Sequence, residues 1–248
     1  MITKNDAKFI KSLQLKKFRE RDQAFVVEGG KNVIELLKSK FTIVKLLVTN
    51  EFLASHANLI DACNVNPDVV TEKQLVSIGT FRSNNMALAV GRIPEVVGKP
   101  RTSDFVLAFE SLQDPGNLGT IIRTADWYGF DQIVCSLDSV DIFNPKTLAS
   151  TMGSYTRVKV FYLDLDRWIV ESGLDVYGTV LEGISVHNTD FKDRGIILFG
   201  NESSGISTSF ERQLKYRVHI PGYGGAESLN VGIATGIICD NLRRLTKK

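Results

Sequence analysis

Short runs of apolar residues alternate along the whole chain with stretches in which apolar residues recur at helical spacing. This alternation predicts β-strands separated by α-helices. In the first third of the chain, strands are predicted at 24–29, 43–49, near 69 and at 86–91, and helices at 5–17, 31–39, 51–63 and 72–79. Strands and helices alternating over so short a length predict a small α/β domain.

The pattern breaks once, at RIPEVVGKPRTSD, which holds two prolines and a glycine. Such a stretch predicts a linker at 93–104 between a domain of residues 1–92 and a domain of residues 105–248. In the second domain, strands are predicted at 105–110, 133–136, 158–162, 176–181, 196–200 and 216–221, and helices at about 117–128, 144–152, 165–172, 204–213 and 228–245. Apolar strands joined by helices predict a mostly parallel sheet, whose ligands bind at the carboxyl ends of the strands.

The composition is that of a globular protein, with 43% hydrophobic and 23% charged residues. No apolar run approaches the roughly 18 residues that span a bilayer, so we expect no membrane segment. The start of the chain has no apolar signal core, and we expect a cytoplasmic protein. Cys63, Cys135 and Cys239 lie far apart and the three histidines are isolated, which predicts buried thiols and no metal site.

Positive charge is concentrated near the amino terminus. Residues 1–92 carry 14 Lys or Arg against 9 Asp or Glu, and the excess is greatest in residues 1–21. The basic side chains of that segment are Lys4, Lys8, Lys11, Lys16, Lys17, Arg19 and Arg21. Such a cluster attracts a polyanion, and a phosphate backbone is the common one. A merely solvated helix face is the alternative, and charge alone slightly favours it.

The first motif that carries chemistry is SLQDPGNLGTIIRTADWYGF (111–130), directly after a predicted strand. DPGN predicts a turn, with Asn117 as the N-cap of the next helix. Arg123 lies among apolar residues of that helix and needs an anionic partner, for which phosphate or carboxylate fits its fork. A salt bridge to Asp126 or Glu202 is an equally weighted alternative.

A second motif, LFGNESSGIS (198–207), also follows a predicted strand. Gly200 ends the strand, where the missing side chain lets the backbone approach a ligand. Glu202 stands just beyond the strand end, where carboxylates often act. The motif has neither the spacing of a phosphate-binding Walker loop nor that of a hydrolase nucleophile elbow.

The third motif is HIPGYGGAESLNVGIATGI (219–237), in which a strand passes through a Gly-rich loop into a helix. Ser228 is the N-cap candidate for that helix. Gly232 and Gly236 share one helix face and permit either close packing within the chain or a subunit interface. Because the second and third motifs are polar strand ends close together in sequence, they predict one site for a bound molecule.

In order and spacing, the three motifs resemble those of the SpoU (TrmH) family of SPOUT methyltransferases. The family pattern N-x-G-x-x-x-R-T-A matches residues 117–125, FGNE-x-x-G matches 199–205, and IP…G…SLNV…ATG matches 220–236. Residues 1–92 resemble, more weakly, the substrate-binding domain often found before the catalytic domain, with FVVEGGKNVIELL in the expected place. The resemblance covers nearly the whole chain.

The resemblance implies transfer of a methyl group from S-adenosylmethionine to a ribose 2′-hydroxyl of RNA. It implies an α/β-knot fold for the second domain, with a trefoil knot in its C-terminal segment. The small N-terminal α/β domain is expected to bind RNA, because its family counterpart resembles RNA-binding ribosomal proteins. Members are usually homodimers whose active sites draw on both subunits. Structured 23S ribosomal RNA is the favoured substrate, and transfer RNA is the main alternative.

Matching the motifs by position assigns the site residues. The cofactor is expected to contact the backbone around Gly200, Ile220 and Leu229, with Thr179 near the adenine. The catalytic group is expected to comprise Asn117, Arg123, Glu202, Ser228 and Asn230.

The chemistry suggests a role for each of these side chains. A guanidinium stays protonated above pH ~12, so we expect Arg123 to bind a phosphate and stabilise charge on the 2′-oxygen rather than to act as the base. Ser228 or Asn230 would orient the hydroxyl, and Glu202 would orient Arg123 or Asn117.

Two other classes of function remain open from the sequence. An RNA-binding protein of ribosome assembly that has lost catalysis is one, although the intact catalytic group speaks against it. A dinucleotide-dependent enzyme is the other, and the lack of a GxGxxG after an early strand leaves it unlikely.

Overall fold

The computed structural model describes residues 2–81 and 86–246. The chain forms two compact units. The first comprises Met1–Val96 and Asp141–Thr156, and the second comprises Val97–Val140 and Arg157–Lys248. The segment 141–156 lies within the predicted domain 105–248, yet it packs with the first unit.

The described helices and strands follow the predicted alternation closely. The first part of the chain contains α1 (Lys4–Ser12), α2 (Lys16–Asp22), β1 (Ala24–Glu28), α3 (Gly30–Leu37), β2 (Ile43–Val48), α4 (Asn50–Ala62), β3 (Asp68–Val69), α5 (Glu72–Ile78) and β4 (Ala87–Arg92). The remainder contains β5 (Val106–Phe109), α6 (Pro115–Trp127), β6 (Gln132–Ser136), α7 (Pro145–Thr151), β7 (Lys159–Leu163), α8 (Leu165–Ser172), β8 (Val176–Ser185), β9 (Ile196–Phe199), α9 (Thr208–Glu211), β10 (Tyr216–His219) and α10 (Val231–Thr246). Two short 3₁₀ turns, Ser154–Thr156 and Val186–Asn188, had no sequence signal.

The first unit contains a four-stranded sheet in the order β1-β4-β2-β3. β4 is antiparallel to both β1 and β2, and β2 is parallel to β3. The strands β1 and β4 are buried along almost their whole length, which explains why both are continuous apolar runs in the sequence. α7 packs against β1, and the Phe143 ring lies 4.7 Å from that of Phe25.

The helix predicted at 5–17 is two helices, and a buried arginine explains the break. Arg19 is only 2% exposed. Its Nη1 donates to the carbonyl oxygens of Leu13 and Gln14, both at 2.9 Å, which the break between α1 and α2 makes available. Its Nε and Nη2 donate to Asp141 Oδ2 at 3.0 and 2.7 Å. Arg19 therefore does not belong to the exposed basic cluster in which the sequence placed it.

The second unit contains a six-stranded sheet in the order β10-β8-β9-β5-β6-β7, and every neighbouring pair is parallel. This confirms the predicted α/β fold with a mostly parallel sheet. The central strands β5 and β9 are fully buried. Because they are parallel neighbours, the first two motifs, which follow them, start at adjacent points of one sheet edge.

Two of the three cysteines are buried, as predicted. Cys135 and Cys239 are buried, and Cys63 is half-buried. Burial raises the pKa of the Cys239 thiol to about 12, so it stays protonated and unreactive at neutral pH. Within residues 2–81 and 86–246, no three metal-ligating side chains come together, and no helix has both the length and the apolarity to cross a membrane.

The Arg19 contacts make a prediction about stability. Arg19→Ala should lower the free energy of unfolding by about 3 kcal/mol, because it leaves the Asp141 carboxylate and two carbonyls without their donor. Arg21→Ala is the matched control, since Arg21 pairs with Asp22 on the surface, where solvent screens the pair, and it should change the stability much less. Urea unfolding of both variants measures the difference, and equal losses would contradict the structural role of Arg19.

Candidate functional site

The site lies at the carboxyl edge of the second unit's sheet, where β5 and β9 end side by side. The chain after β9 turns so that Glu202 faces the chain after β5. The Glu202 carboxylate accepts hydrogen bonds from the backbone nitrogens of Gln113 and Asp114 at 3.4 and 3.3 Å. The second motif thus holds the turn of the first.

The helix of the first motif begins earlier than predicted. α6 starts at Pro115, and the N-cap is Asp114, whose side chain accepts from the Asn117 backbone nitrogen at 2.9 Å. Proline at the first helical position suits this start, because its missing N–H would be unpaired there. Asn117 is therefore not the cap, and its side chain is free for another contact from the first turn.

Asn117 joins all three motifs through two side-chain hydrogen bonds. Its Nδ2 donates to Glu202 Oε1 at 3.2 Å, and its Oδ1 accepts from Asn230 Nδ2 at 2.8 Å. We call these three side chains the polar ladder. Each amide has its orientation fixed, because each carbonyl oxygen accepts and each NH₂ donates. The sequence assigned all three residues to the catalytic group, and the structure brings them together.

Asn230 also caps α10. Its Oδ1 accepts from the backbone nitrogens of Gly232 and Ile233 at 2.9 and 3.4 Å, which satisfies two otherwise unpaired donors of the first turn. Ser228, the predicted cap, precedes the helix by three residues, and its exposed hydroxyl bonds to none of the described residues. The N-cap assignment to Ser228 was wrong.

The two glycines of α10 serve packing within the chain. A side chain at Gly232 would lie 3.1 Å from the Thr120 methyl carbon, and one at Gly236 would lie 4.0 Å from that of Thr124. The face they share is directed at α6. The close-packing alternative is the one that the structure bears out.

Arg123 is exposed on α6 and forms no hydrogen bond or ion pair with the side chains of the polar ladder. Neither predicted salt bridge forms, because Asp126 pairs with Arg157 at 2.8 Å and Glu202 is occupied by Asn117 and the motif-one backbone. Across the described parts of the chain, Arg123 makes no ion pair. Its guanidinium remains available for an anion from outside.

The residues expected to hold the cofactor fall into two groups. On β8, the Thr179 hydroxyl donates to the Leu198 carbonyl at 3.1 Å and so ties β8 to β9. Gly200 is required for a reason that the sequence did not reveal. A side chain there would collide with the backbone of Gly205 and Ile206, so the loop after β9 folds tightly back on the strand end.

Ile220 and Leu229 bracket the Gly-rich loop between β10 and α10. Residues 222–230 are exposed, and the backbone of 221–229 forms no hydrogen bond with the described part of the chain. Unpaired N–H and C=O groups beside the polar ladder fit a ligand recognised through backbone, as an adenine, a ribose and an amino-acid group can be. The donor set is therefore compatible with S-adenosylmethionine.

Two residues of the site were missed in the sequence. Asp114 was part of the predicted turn, and Asp before a Pro at the first helical position is a recognisable cap signal. Asn201 was quoted within its motif without a role, although Asn side chains commonly close turns by bonding to backbone two residues on.

The fold and the site define a class: an α/β protein whose polar site is assembled by three chain segments at the carboxyl edge of a parallel sheet. Family models match nearly all of the chain. The model of the SpoU rRNA methylase family matches residues 104–240, and that of the MRM3-like substrate binding domain matches residues 4–89. The chain belongs to the SpoU rRNA methylase family, which confirms the resemblance found in the three motifs.

Individual relatives agree with this assignment. The 23S rRNA (guanosine(2553)-2′-O)-methyltransferase RlmP of Bacillus subtilis is 33% identical over 238 residues, covering 94% of each chain. A crystal structure of an AdoMet-bound rRNA methyltransferase from Sinorhizobium meliloti is 30% identical, with a TM-score of 0.87 and coverage of 100% and 97%. The tRNA (guanosine(18)-2′-O)-methyltransferase of Thermus thermophilus is 30% identical over 157 residues, covering 62% of this chain and 80% of its own.

Proposed function

We propose that this protein methylates a ribose 2′-hydroxyl of 23S ribosomal RNA, with S-adenosylmethionine as the methyl donor. The observation that carries the proposal is the polar ladder, in which one residue from each family motif meets beside a loop of unpaired backbone groups. Family membership supplies the reaction class, and the ladder provides polar groups that such a reaction can use.

The bound S-adenosylmethionine supplies an activated methyl group and its own leaving group, a neutral thioether. The protein has to hold the 2′-oxygen in line and favour transfer of its proton to the solvent that reaches this exposed edge. Asn117 and Asn230 have fixed orientations, so the ladder offers a rigid polar surface for a hydroxyl. Ser228, whose hydroxyl is free of bonds to the described residues, can donate to or accept from the ribose. In this proposal the Glu202 carboxylate orients Asn117.

In this proposal, Arg123 binds and stabilises negative charge on the RNA. Its exposed guanidinium binds the phosphate beside the target ribose and stabilises negative charge developing on the 2′-oxygen. A guanidinium is a permanent cation with five donors and no acceptor, so it suits an anion and not a proton. We therefore assign Arg123 to anion binding and not to proton removal.

Ribosomal RNA is the proposed substrate because both units of the chain have a counterpart in the Bacillus relative, whose name specifies 23S rRNA. The relative that acts on transfer RNA matches only 62% of this chain. In the first unit, five exposed lysines and Arg21 lie on or beside α1 and α2, which suits contact with phosphates. The ring of Phe18 lies under two of these cations, Lys17 and Arg21, at 4.9 and 4.8 Å. A cytoplasmic location follows for an enzyme of the ribosome.

We further propose a homodimer formed through α6 and the start of α10. Trp127 is 84% exposed on α6, and Leu229 and Ile233 are about half exposed near the start of α10. Arg123 lies one turn away from Trp127 on the same helix. So large an exposed apolar side chain indicates a surface that another protein molecule covers. A second copy on this surface would place its Arg123 near the polar ladder. We also propose a trefoil knot in the C-terminal segment of the second unit, as the family resemblance implies.

Purified protein tests the reaction directly. With tritiated S-adenosylmethionine, unmodified 23S rRNA should gain label in a 2′-O-methylnucleoside, and transfer RNA should gain none.

Arg123→Ala should lower kcat by about 100-fold, and Arg123→Lys by about tenfold, because lysine keeps the charge and loses the planar fork of donors. Arg212→Lys, on an exposed residue, is the matched control. No binding of S-adenosylmethionine by calorimetry would favour the non-catalytic RNA-binding protein.

Subunit complementation tests the dimer and the origin of the arginine together. Arg123→Ala and Asn230→Ala should each be far slower than the wild type as homodimers. If each site combines one ladder with Arg123 of a second copy, the co-expressed heterodimer carries one complete site and regains activity. An arginine acting within its own subunit leaves both sites defective. A purified heterodimer with no activity above the two homodimers would overturn the shared site, and a monomer in light scattering would overturn the dimer.

A further inference from the structure

Asn201 makes more hydrogen bonds than any member of the polar ladder. Its backbone nitrogen and oxygen both pair with Gly205 at 3.0 Å. Its Oδ1 accepts from the nitrogen and hydroxyl of Ser203, at 3.0 and 2.8 Å, and from those of Ser204, at 3.2 and 3.3 Å. One side-chain oxygen therefore closes the whole loop after β9. Gly205 has φ +68°, which suits the glycine that ends this turn.

The other end of the same amide reaches the first motif. Asn201 Nδ2 donates to the Ser111 carbonyl at 2.8 Å. Ser111 follows β5 with φ +49°, a conformation that a non-glycine residue adopts only where its surroundings hold it. Those surroundings are visible: its nitrogen donates to Ser136 Oγ at 2.7 Å, and its carbonyl also accepts from Gln113 Nε2 at 3.2 Å. Asn201 thus holds the closed loop after β9 against the Ser111 carbonyl, whose position these contacts fix.

We infer that Asn201 is a positioning residue for the proposed methyl transfer, acting through its neighbour Glu202. The tie at Ser111 sets where the loop lies relative to the first motif. Glu202 is next in the chain. It reaches Gln113, Asp114 and Asn117 only if the loop keeps that position. Its three contacts there are long, between 3.2 and 3.4 Å, and would not hold the loop alone. The inference rests on the proposed function and adds a residue to it.

Asn201→Asp separates the two ends of this amide. Aspartate is isosteric and keeps an oxygen for Ser203 and Ser204, so the loop stays closed. At the Ser111 carbonyl it replaces a donor with a second oxygen, and the tie becomes a repulsion. Asn188→Asp is the matched control, because the Asn188 side chain is exposed, makes no hydrogen bond with the described residues and undergoes the same change of charge. Asn201→Ser, too short to reach Ser111, is the second variant should the aspartate fail to fold.

The experiment is a double-mutant cycle between Asn201→Asp and Glu202→Gln, measured on kcat and on the melting temperature. We expect Asn201→Asp to lower kcat by about tenfold in the wild-type background and by less than about threefold in Glu202→Gln, because a residue that acts through another loses its effect with it. The dissociation constant of S-adenosylmethionine should stay within about twofold, since the loop backbone at Gly200 is kept.

Independent effects of the two substitutions on both kcat and melting temperature would overturn the inference. So would an Asn201→Asp enzyme as active as the Asn188→Asp control. Loss of cofactor binding in Asn201→Asp, with kcat at saturation unchanged, would reduce Asn201 to a structural residue of the cofactor loop. Should the wild type transfer no methyl group, the proposed function fails, and non-additive melting temperatures still decide the tie between Asn201 and Glu202.

Discussion

The hydrogen bonds that connect Glu202, Asn117 and Asn230 are the constraint on which the candidate site depends. The three residues lie on a loop, in the first turn of one helix and at the cap of another. Separately, each would be a polar group on an exposed edge. Joined, they fix the start of α6 against the start of α10, whose small residues let the two helices approach closely. The amides are thereby oriented before any ligand binds, which is the condition for positioning a reacting hydroxyl.

Nearly all of the helices and strands could be predicted from the sequence, because the strands are short apolar runs and the helices are amphipathic. Most of the differences lie where a single side chain decides a boundary, although the segment 141–156 also joins the first unit. Arg19 takes up the carbonyls that the break between α1 and α2 frees, and nothing in its local sequence indicates that it is buried. Asp114 and Asn230 start their helices in place of Asn117 and Ser228, because a cap is chosen by which side chain reaches the free N–H groups. Periodicity does not contain that information.

The sequence named the residues of the candidate site but not the contacts between them. The family motifs identified the ladder residues and Arg123, but not that Arg123 would stand alone. A predicted salt bridge competes with every other acid and base nearby, and here Arg157 and Asn117 win those partners. The same competition explains why an exposed arginine remains on a helix with an exposed tryptophan. Covering the surface that Arg123 and Trp127 share would bury the indole and enclose the guanidinium.

The central claim is that three motifs act as one unit through the ladder. A double-mutant cycle between Asn117→Ala and Asn230→Ala, measured on the rate of methyl transfer to 23S rRNA, tests it most directly. If the two side chains act together, the double variant should be little slower than the slower single variant, because either substitution alone already breaks the ladder. Rate losses that multiply, as for two independent residues, would contradict the account.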